Sequence, residues 1–351
     1  MEGHSEQIQW LLEDHDPMVR YNTLTRILER PAADPEVRES LHRMLNASPV
    51  SNVLRKQNAD GGFVTARSIK QYGEERAHFG YLPKHKATTW QAAFLAQAGV
   101  PAADQRIQAL GEFILAHTYN GEMGVFGRVV QTDRGLRKRM MPCLNARMVW
   151  ALCTLGFGYR AEVRNSFQFL AQQQRFDDGD FKPTRERPFD WVDSRYCWGP
   201  ASCFAGASGF VLTFPVVPDD YWNPVALQAK ERAIAFLLEH RILHRTLKPG
   251  SKAPVAKNAY RLGKPESLLS LQAPLTGADA IEIVTALLLL GVRHAAIDET
   301  IDRILAEAND RGRWILGAAP SSMYGSWGKV GEENRWVTFR VLRMLKLAGR
   351  L

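Results

Sequence analysis

The segment 189–204, FDWVDSRYCWGPASCF, holds an unusual density of side chains capable of chemistry. A carboxyl group buried among aromatic rings has a raised pKa and can act as a general acid. Asp190 and Asp193 are therefore candidate catalytic residues, although a packed aromatic loop in which Asp193 caps a turn explains the same residues. The aromatic members of the segment are candidates for lining an apolar ligand: Trp191, Tyr196 and Trp198.

The cysteines offer a second kind of chemistry. Cys143, Cys197 and Cys203, together with a water or Asp193, would form a zinc site, since thiolates are preferred zinc ligands. Buried free cysteine that packs as a small apolar residue is the alternative, and the cofactor is left open between zinc and none. The chain has four cysteines without paired spacing, which favours a reducing compartment and predicts a cytoplasmic protein.

Recurrent apolar stretches provide the elements that would position these residues. The stretches 88–99, 143–156, 278–291 and 334–349 are apolar on most faces and end at a glycine, which predicts buried helices; 202–214 has the same character without the glycine. Gly99 and Gly156 are 57 residues apart, and Gly291 and Gly349 are 58 apart. This period accommodates two helices and two loops.

Amphipathic stretches alternate with the buried ones and predict an outer helical layer: 105–118, 161–173, 228–243 and 297–308. Glycine-containing polar turns that end in an aromatic residue recur in the same order: 58–63, 120–126, 177–181 and 309–314. The resulting alternation of inner and outer helices predicts a repeat architecture.

The chain start is predicted to supply the sixth helix pair, because 17–30 has the pattern of the last buried stretch. Arg20-Tyr21-Asn22-Thr23 matches Arg335-Trp336-Val337-Thr338 in type and order. We therefore predict an all-α fold, an (α/α)6 toroid of inner and outer helices forming a single domain over residues 1–351. An open HEAT-like array is the structural alternative. A basic insertion at about 244–275 interrupts the repeat, and it is either a lid or an inert surface loop.

Inner helices that run parallel would bring their N-termini to one mouth of the toroid. Exposed N–H groups and the positive end of each helix dipole suit an anion there. Arg20 and Arg335 would clamp a diphosphate or carboxylate, unless each pairs with a local acid. Other residues at or within the inner helices are candidates for substrate binding or, for the aspartate, catalysis: Tyr21, Trp90, Asn145, Trp150, Trp336 and Asp279.

Two segments, FQFLAQQQRFDDGDF at 167–181 and LAEANDRGRW at 305–314, resemble the QW-type repeats of squalene and hopene cyclases. The helix TTWQAAFLAQAG at 88–99 is similar to inner helices of protein prenyltransferase β-subunits. Overall the chain resembles the prenyltransferase/squalene-oxidase-repeat, terpene-cyclase-like family, and its uncharacterised bacterial members above all. The resemblance implies an isoprenoid or lipid-like ligand, such as a prenyl diphosphate, in a central aromatic cavity, and favours an enzyme of cyclase or transferase type.

Two departures from the family pattern keep the activity open. The DxDD acid motif of class II cyclases is missing, since 177–180 reads DDGD. The residues before Cys203 are Ala201 and Ser202, where the resemblance would place a histidine zinc ligand. The alternatives are a non-catalytic lipid-binding or interaction scaffold, and a metal-dependent enzyme that uses the cysteines.

Composition limits the partners. The chain has 45 Lys and Arg against 37 Asp and Glu, a net charge of +8, which attracts anions. No nucleic-acid-recognition motif accompanies this charge, so we predict no nucleic-acid partner. The longest apolar stretch, 285–292, is too short to cross a bilayer, which predicts no transmembrane segment and leaves peripheral membrane contact open.

Overall fold

A computed structural model of the protein describes residues 4–177, 202–243, 278–320 and 322–351. These residues are mostly helical and include one small antiparallel sheet. The helices are α1 (Ser5–Leu11), α2 (Pro17–Arg26), α3 (Pro35–Asn46), α4 (Val50–Leu54), α5 (Ala66–Tyr72), α6 (Glu74–His78), α7 (Thr88–Ala98), α8 (Gln105–His117), α9 (Pro142–Thr154), α10 (Ala161–Gln173), α11 (Phe204–Thr213), α12 (Pro224–Glu239), α13 (Ala280–Leu289), α14 (Ala295–Leu305) and α15 (Arg335–Leu347).

Six of these helices, α2, α7, α9, α11, α13 and α15, are called the inner helices here. Contacts join α7 to α9, α9 to α11, α11 to α13, α13 to α15, and α15 to α2. The remaining junction is made by Asn22 of α2, whose Nδ2 donates to the carbonyl of Ala98 at the end of α7, 2.9 Å away. Each inner helix therefore contacts the next, and the last contacts the first.

The outer helices cover the inner ones with one apolar face. Contacts join α3 to α2, α8 to α7, α10 to α9, α12 to α11, and α14 to α13, while α1 contacts both α2 and α15. In α14, for example, Ile297, Ile301 and Ile304 are buried, whereas Asp298 and Arg303 are exposed. The three- and four-residue spacing of the buried isoleucines places them on a single helix face.

The chain start packs against the chain end. The Trp10 side chain of α1 lies between two guanidinium groups, that of Arg313 at 4.1 Å and that of Arg335 at 4.5 Å from the ring centroid. At the C-terminal end of α15, Lys346 Nζ donates to the carbonyl of Ile27, which follows α2, at 2.6 Å. The N-terminal segment therefore completes the repeat beside the last helix, as its sequence pattern predicts.

The predicted glycine helix ends are confirmed. Gly99, Gly156, Gly291 and Gly349 all have positive φ, between 71° and 90°, the conformation that closes a helix at the lowest steric cost in glycine. Some predicted boundaries were wrong by about one turn. The helix predicted at 228–243 is α12, which begins earlier because Pro224 occupies its first turn and Asn223 caps it, with Oδ1 accepting from the N–H of Ala226 at 2.8 Å.

The all-α prediction missed a sheet. Strands β1 (Tyr119–Asn120), β2 (Val125–Thr132) and β3 (Gly135–Met140) form an antiparallel sheet in that order. The predicted repeat turn at 120–126 is present, but it runs on into β2 because alternating and β-branched residues follow it. The turn between β2 and β3 is closed by Gly135, whose φ is +91°.

The glycine–aromatic turns share one contact. In three turns the backbone N–H of the aromatic residue donates to a side chain in the first turn or so of the next inner helix. The buried pairs are Phe63 with Thr88 Oγ1 at 3.1 Å, Phe126 with Asn145 Oδ1 at 2.9 Å, and Trp314 with Thr338 Oγ1 at 3.2 Å.

Within the described parts of the chain, every helix is too short or too polar to cross a membrane.

Candidate functional site

A cavity of about 310 Å³ lies between the inner helices, and all six contribute to its lining. Its apolar wall includes Trp150 of α9, Leu212 of α11, Ile281 of α13, and Trp336 and Phe339 of α15. An apolar wall with a few placed polar groups is typical of a small-molecule site.

Four inner helices line the cavity near their C-terminal ends, whereas α13 and α15 line it from their first turns onward. Arg26 is the last residue of α2, Gln97 lies in the last turn of α7, Thr154 ends α9, and Val216 follows α11. The sequence predicts the site at the helix N-termini, where N–H groups would attract an anion. The positive side chains of the cavity lie elsewhere, since Arg26 ends α2, where the negative pole of the helix dipole favours a cation, and Arg340 and Arg343 lie in the middle and second half of α15.

Arg26 and Arg343 line the cavity, and neither has an ion-pair or hydrogen-bond partner within residues 4–177, 202–243, 278–320 and 322–351. Burial lowers the pKa of Arg26. Burial, and then repulsion from Arg26 and Arg340, lowers the pKa of Arg343 to about 10. Within the described residues, the positive charges of Arg26 and Arg343 are therefore not paired with a carboxylate.

Arg340, the third arginine of the lining, is paired. Its Nη2 donates to both carboxylate oxygens of Asp279, each at 2.7 Å. Burial alone would lower the pKa of Arg340, but the charges of Asp279 and Glu282 hold it above its ordinary value. Asp279, a predicted catalytic residue, is 3% exposed and also caps α13, accepting from the N–H of Glu282 at 2.9 Å. Its carboxylate thus has a structural role as the partner of Arg340 and a helix cap.

A second ion pair crosses the interior. Arg147 of α9 donates to the two carboxylate oxygens of Glu282 at 3.1 and 2.9 Å, and its guanidinium lies over the Trp150 ring at 4.9 Å. Gln97 Nε2 donates to the same carboxylate at 3.0 Å. The cavity lining contains three arginines and Glu282, and Arg147 and Asp279 lie beside it. Together these four arginines and two carboxylates have a net charge of +2. The arrangement can hold an anion beside an aromatic wall.

Trp150 and Trp336 are the predicted substrate-binding residues that line this cavity. Trp336 is 4% exposed and stacks between Trp327 and Phe339, with ring centroids 5.1 Å from each. The cavity face of Trp336 is therefore held in one orientation by aromatic neighbours.

The other predicted binding residues lie elsewhere. Arg20 donates to the carbonyl of Leu12 and to Glu36, and Arg335 donates to the carbonyl of Trp10 and, at 2.6 Å, to Glu13. The hydrogen bond from Arg335 lowers the pKa of Glu13. The two arginines therefore follow the alternative given by the sequence, pairing with local acids, and their hydrogen bonds do not bring them into one clamp.

Three further candidates have structural contacts. Trp90 is buried and its Nε1 donates to the carbonyl of Tyr81 at 3.3 Å. Asn145 holds the Phe126 turn and donates to the carbonyl of Ser166 at 3.2 Å. Tyr21 is half-buried, and burial raises the pKa of its hydroxyl. Among the described residues, the cavity lining includes none of these three.

The predicted zinc site is only partly covered by the structure. Cys143 is buried at the start of α9, and Cys203 caps α11 with Sγ accepting from the N–H of Gly206 at 3.4 Å. No group of three His, Cys, Asp or Glu side chains suited to a metal occurs among the described residues. The third predicted ligand, Cys197, lies outside them, as do Asp190, Trp191, Asp193, Tyr196, Trp198 and the insertion at 244–275.

Sequence reasoning missed the cavity arginines, although a signal was present. Arg147 interrupts the apolar run CLNARMVWALCTLG, and Arg340 and Arg343 interrupt NRWVTFRVLRMLKLAG. A charged residue in a helix that is apolar on most faces is costly unless it has a partner or a function. These three arginines are therefore expected to have a partner or a function, but the sequence does not show which of them are paired.

No protein-family model and no curated protein matches this chain. Among solved structures, the type II terpene cyclase MstE from Scytonema, in its apo form, is 12% identical with a TM-score of 0.32, over 89% of this chain and 99% of the cyclase. A possible member of the GH105 family from Salmonella enterica serovar Paratyphi A is 12% identical with a TM-score of 0.27. The match covers 95% of this chain and 71% of the Salmonella protein. At this level neither structure informs the activity of this chain.

Proposed function

We propose that the protein binds an isoprenoid or similar lipid-like small molecule with an anionic head in its central cavity. The pair of cavity arginines without a carboxylate partner, Arg26 and Arg343, carries this proposal. Two half-buried like charges close together are unfavourable in the free protein, and a bound phosphate or carboxylate would neutralise both. Trp150, Trp336 and Phe339 would contact the apolar body of the ligand.

The proposal includes a complete (α/α)6 toroid as the scaffold. It is supported by the contacts that join each inner helix to the next and α15 back to α2, and by the outer helix packed on each. In such a scaffold the cavity is the common interior of the six pairs. A ligand there would touch residues from distant parts of the chain, so its binding would stabilise the whole fold.

Binding without catalysis is the form that the described residues favour. The carboxylates beside the cavity are both engaged by arginine side chains, Asp279 by Arg340 and Glu282 by Arg147, so their oxygens already serve as acceptors within the protein. A terpene-cyclase-like or transferase-like reaction needs a proton donor or another activating group. That part of the hypothesis rests on Asp190 and Asp193, which stay predictions, and a metal-dependent reaction likewise rests on Cys197.

A matched pair of ligands tests the head-group requirement. Geranyl phosphate and geraniol share one apolar chain and differ in the phosphate, and a cavity of about 310 Å³ is at the lower end of the size typical of ligand sites. Charged hydrogen bonds contribute about 1.5–3 kcal/mol each, so calorimetry should show geranyl phosphate binding at least tenfold more tightly than geraniol. Equal affinity, or no binding of either compound, would refute the proposal.

Two variants locate the site. Arg26→Gln and Arg343→Gln should each weaken geranyl phosphate binding about tenfold or more, and leave geraniol binding nearly unchanged. Arg38→Gln, on the exposed face of α3, removes the same charge far from the cavity and should have no effect beyond long-range electrostatics. Product analysis after incubation with prenyl diphosphates and with squalene then separates a binding protein from an enzyme.

A further inference from the structure

The hairpin formed by β2 and β3, residues 125–140, carries a strong positive charge away from the cavity. It contains five basic residues and one acidic residue, Asp133, for a net charge of +4. The hairpin leads directly into α9 at Pro142, so it lies at the N-terminal end of α9, and none of its residues is in the cavity lining. Its charge therefore requires a separate explanation.

The register of the hairpin places like charges together. Arg128 and Arg139 are direct cross-strand partners, and Arg137 lies two residues along on the same face, opposite Val130. Like charges directly opposite each other destabilise a hairpin. Arg128 stacks on Tyr81 at 5.1 Å, and Arg137 and Arg139 have no ion-pair partner in the described chain. An external anion would relieve this repulsion.

Apolar side chains are interspersed with the charges near the tip. Val130, which is half-buried, lies opposite Arg137 on the face that carries Arg128 and Arg139, whereas Leu136, 37% exposed, lies on the other face because strand side chains alternate. Basic residues around an aliphatic side chain suit the boundary between the head groups and acyl chains of a lipid bilayer. The hairpin offers no exposed aromatic ring for stacking on bases, because its one aromatic residue, Phe126, is 0% exposed.

We propose that the β2–β3 hairpin docks the protein on an anionic membrane surface. Arg137 and Arg139 contact lipid phosphates. The contact is peripheral and electrostatic, and it is independent of ligand binding in the cavity. It therefore weakens with increasing salt as surface charges are screened.

Vesicle flotation tests this docking on the full chain. The protein should bind vesicles of phosphatidylcholine and phosphatidylglycerol at about 3:1 and not vesicles of phosphatidylcholine alone, because each basic residue near an anionic surface contributes about 1 kcal/mol. On the same basis the double variant Arg137→Gln/Arg139→Gln should reduce the partition coefficient about 30-fold. Leu136→Asn, on the opposite face of the hairpin, should leave binding unchanged.

A matched variant, Arg38→Gln/Arg303→Gln, removes two exposed arginines from outer helices α3 and α14 and should bind as the unmodified protein does. Both double variants should unfold at the same temperature as the unmodified protein, so that a difference in vesicle binding reflects the lost charges and not a change in the fold. Equal binding to neutral vesicles, or full binding by the hairpin variant, would overturn the proposal. Tighter binding to RNA or DNA than to anionic vesicles at equal salt, abolished by the hairpin substitutions, would assign the hairpin to nucleic acid instead and also overturn it.

Discussion

Arg147 and Glu282 form a two-point ion pair across the interior of the protein, with N–O distances of 3.1 and 2.9 Å. They belong to α9 and α13, which are separated in the cycle of inner helices by α11. Gln97 of α7 donates to the same carboxylate. One carboxylate thus joins three inner helices that are not all neighbours, and it fixes the distance between opposite walls of the cavity.

Breaking this pair should be costly. Glu282→Gln preserves the shape of the side chain but leaves the guanidinium of Arg147, which is 1% exposed, without its counter-charge. Removing one partner of a buried ion pair costs about 3–5 kcal/mol, so urea denaturation should show a free energy of unfolding lower by about that amount. Glu332→Gln, which breaks an exposed pair with Lys329, is the control and should lower the free energy of unfolding far less. Similar small losses in both variants would show that the Arg147 pair contributes no more than a surface pair.

The glycine–aromatic turns provide a test of the repeat. Thr338→Val keeps the side-chain volume and removes the oxygen that accepts from the buried N–H of Trp314. A buried N–H left without an acceptor costs about 1–3 kcal/mol, and we expect a loss in that range from thermal or urea unfolding. Thr88→Val should cost a similar amount, because Thr88 holds Phe63 in the same way.

The matched control for these variants is Thr25→Val. Thr25 is half-buried, and its Oγ1 donates to the carbonyl of Tyr21, which already belongs to a helix. The substitution should therefore cost well under 1 kcal/mol. If Thr88→Val and Thr338→Val lowered the free energy of unfolding by clearly different amounts, the contact would not be a shared structural element of the repeat.

The sequence predicts the inner helices well because their stabilisation is local and periodic. The apolar run from 88 to 99 and the glycine that ends it define α7, and the structure confirms both. The sheet was missed because the glycine turn before it resembles those that lead directly into helices. β2 depends on pairing with β3, which the pattern at 125–132 does not reveal by itself.

The cavity chemistry depends on long-range pairing, which one sequence does not contain. Arg340 and Asp279 are 61 residues apart, and Arg147 and Glu282 are 135 apart. Only the tertiary structure distinguishes these paired arginines from Arg26 and Arg343. The prediction of a site at the helix N-termini relied on the helix dipole alone, whereas each arginine side chain carries a full charge and can bring it to the cavity from any position along a helix.

Cys153 should be an unreactive thiol. Burial raises its pKa to about 12. Since the thiolate is the nucleophile, the reactive fraction at pH 8 is lower by about 1000-fold than for a thiol of ordinary pKa. Peptide mapping after iodoacetamide treatment at pH 8 should find Cys153 unlabelled in the folded protein and labelled in urea. Rapid labelling of Cys153 without denaturant would contradict the prediction, and Cys153→Ala, which should not be labelled at this position, checks the assignment of the peptide.

The cluster of cavity arginines should make the free protein less stable than it could be. Arg343→Met retains much of the apolar stem and removes a charge that lies near Arg26 and Arg340. In the absence of ligand we expect the variant to be more stable by about 1 kcal/mol, a gain typical of relieving strain at a functional site. Arg38→Met, at an exposed position, should change stability little.

The pH dependence identifies the cause of that gain. The folded-state pKa of Arg343, about 10, is below its unfolded value, so its positive charge opposes folding. The unfavourable contribution is fully present below pH 10 and decreases as pH rises through the folded pKa, because the folded protein then loses the proton more readily than the unfolded chain. The stability difference between Arg343→Met and the unmodified protein, measured by urea unfolding, should therefore be larger at pH 8 than at pH 11. A difference that is constant over this range, or a variant that is less stable at pH 8, would contradict charge repulsion as the reason.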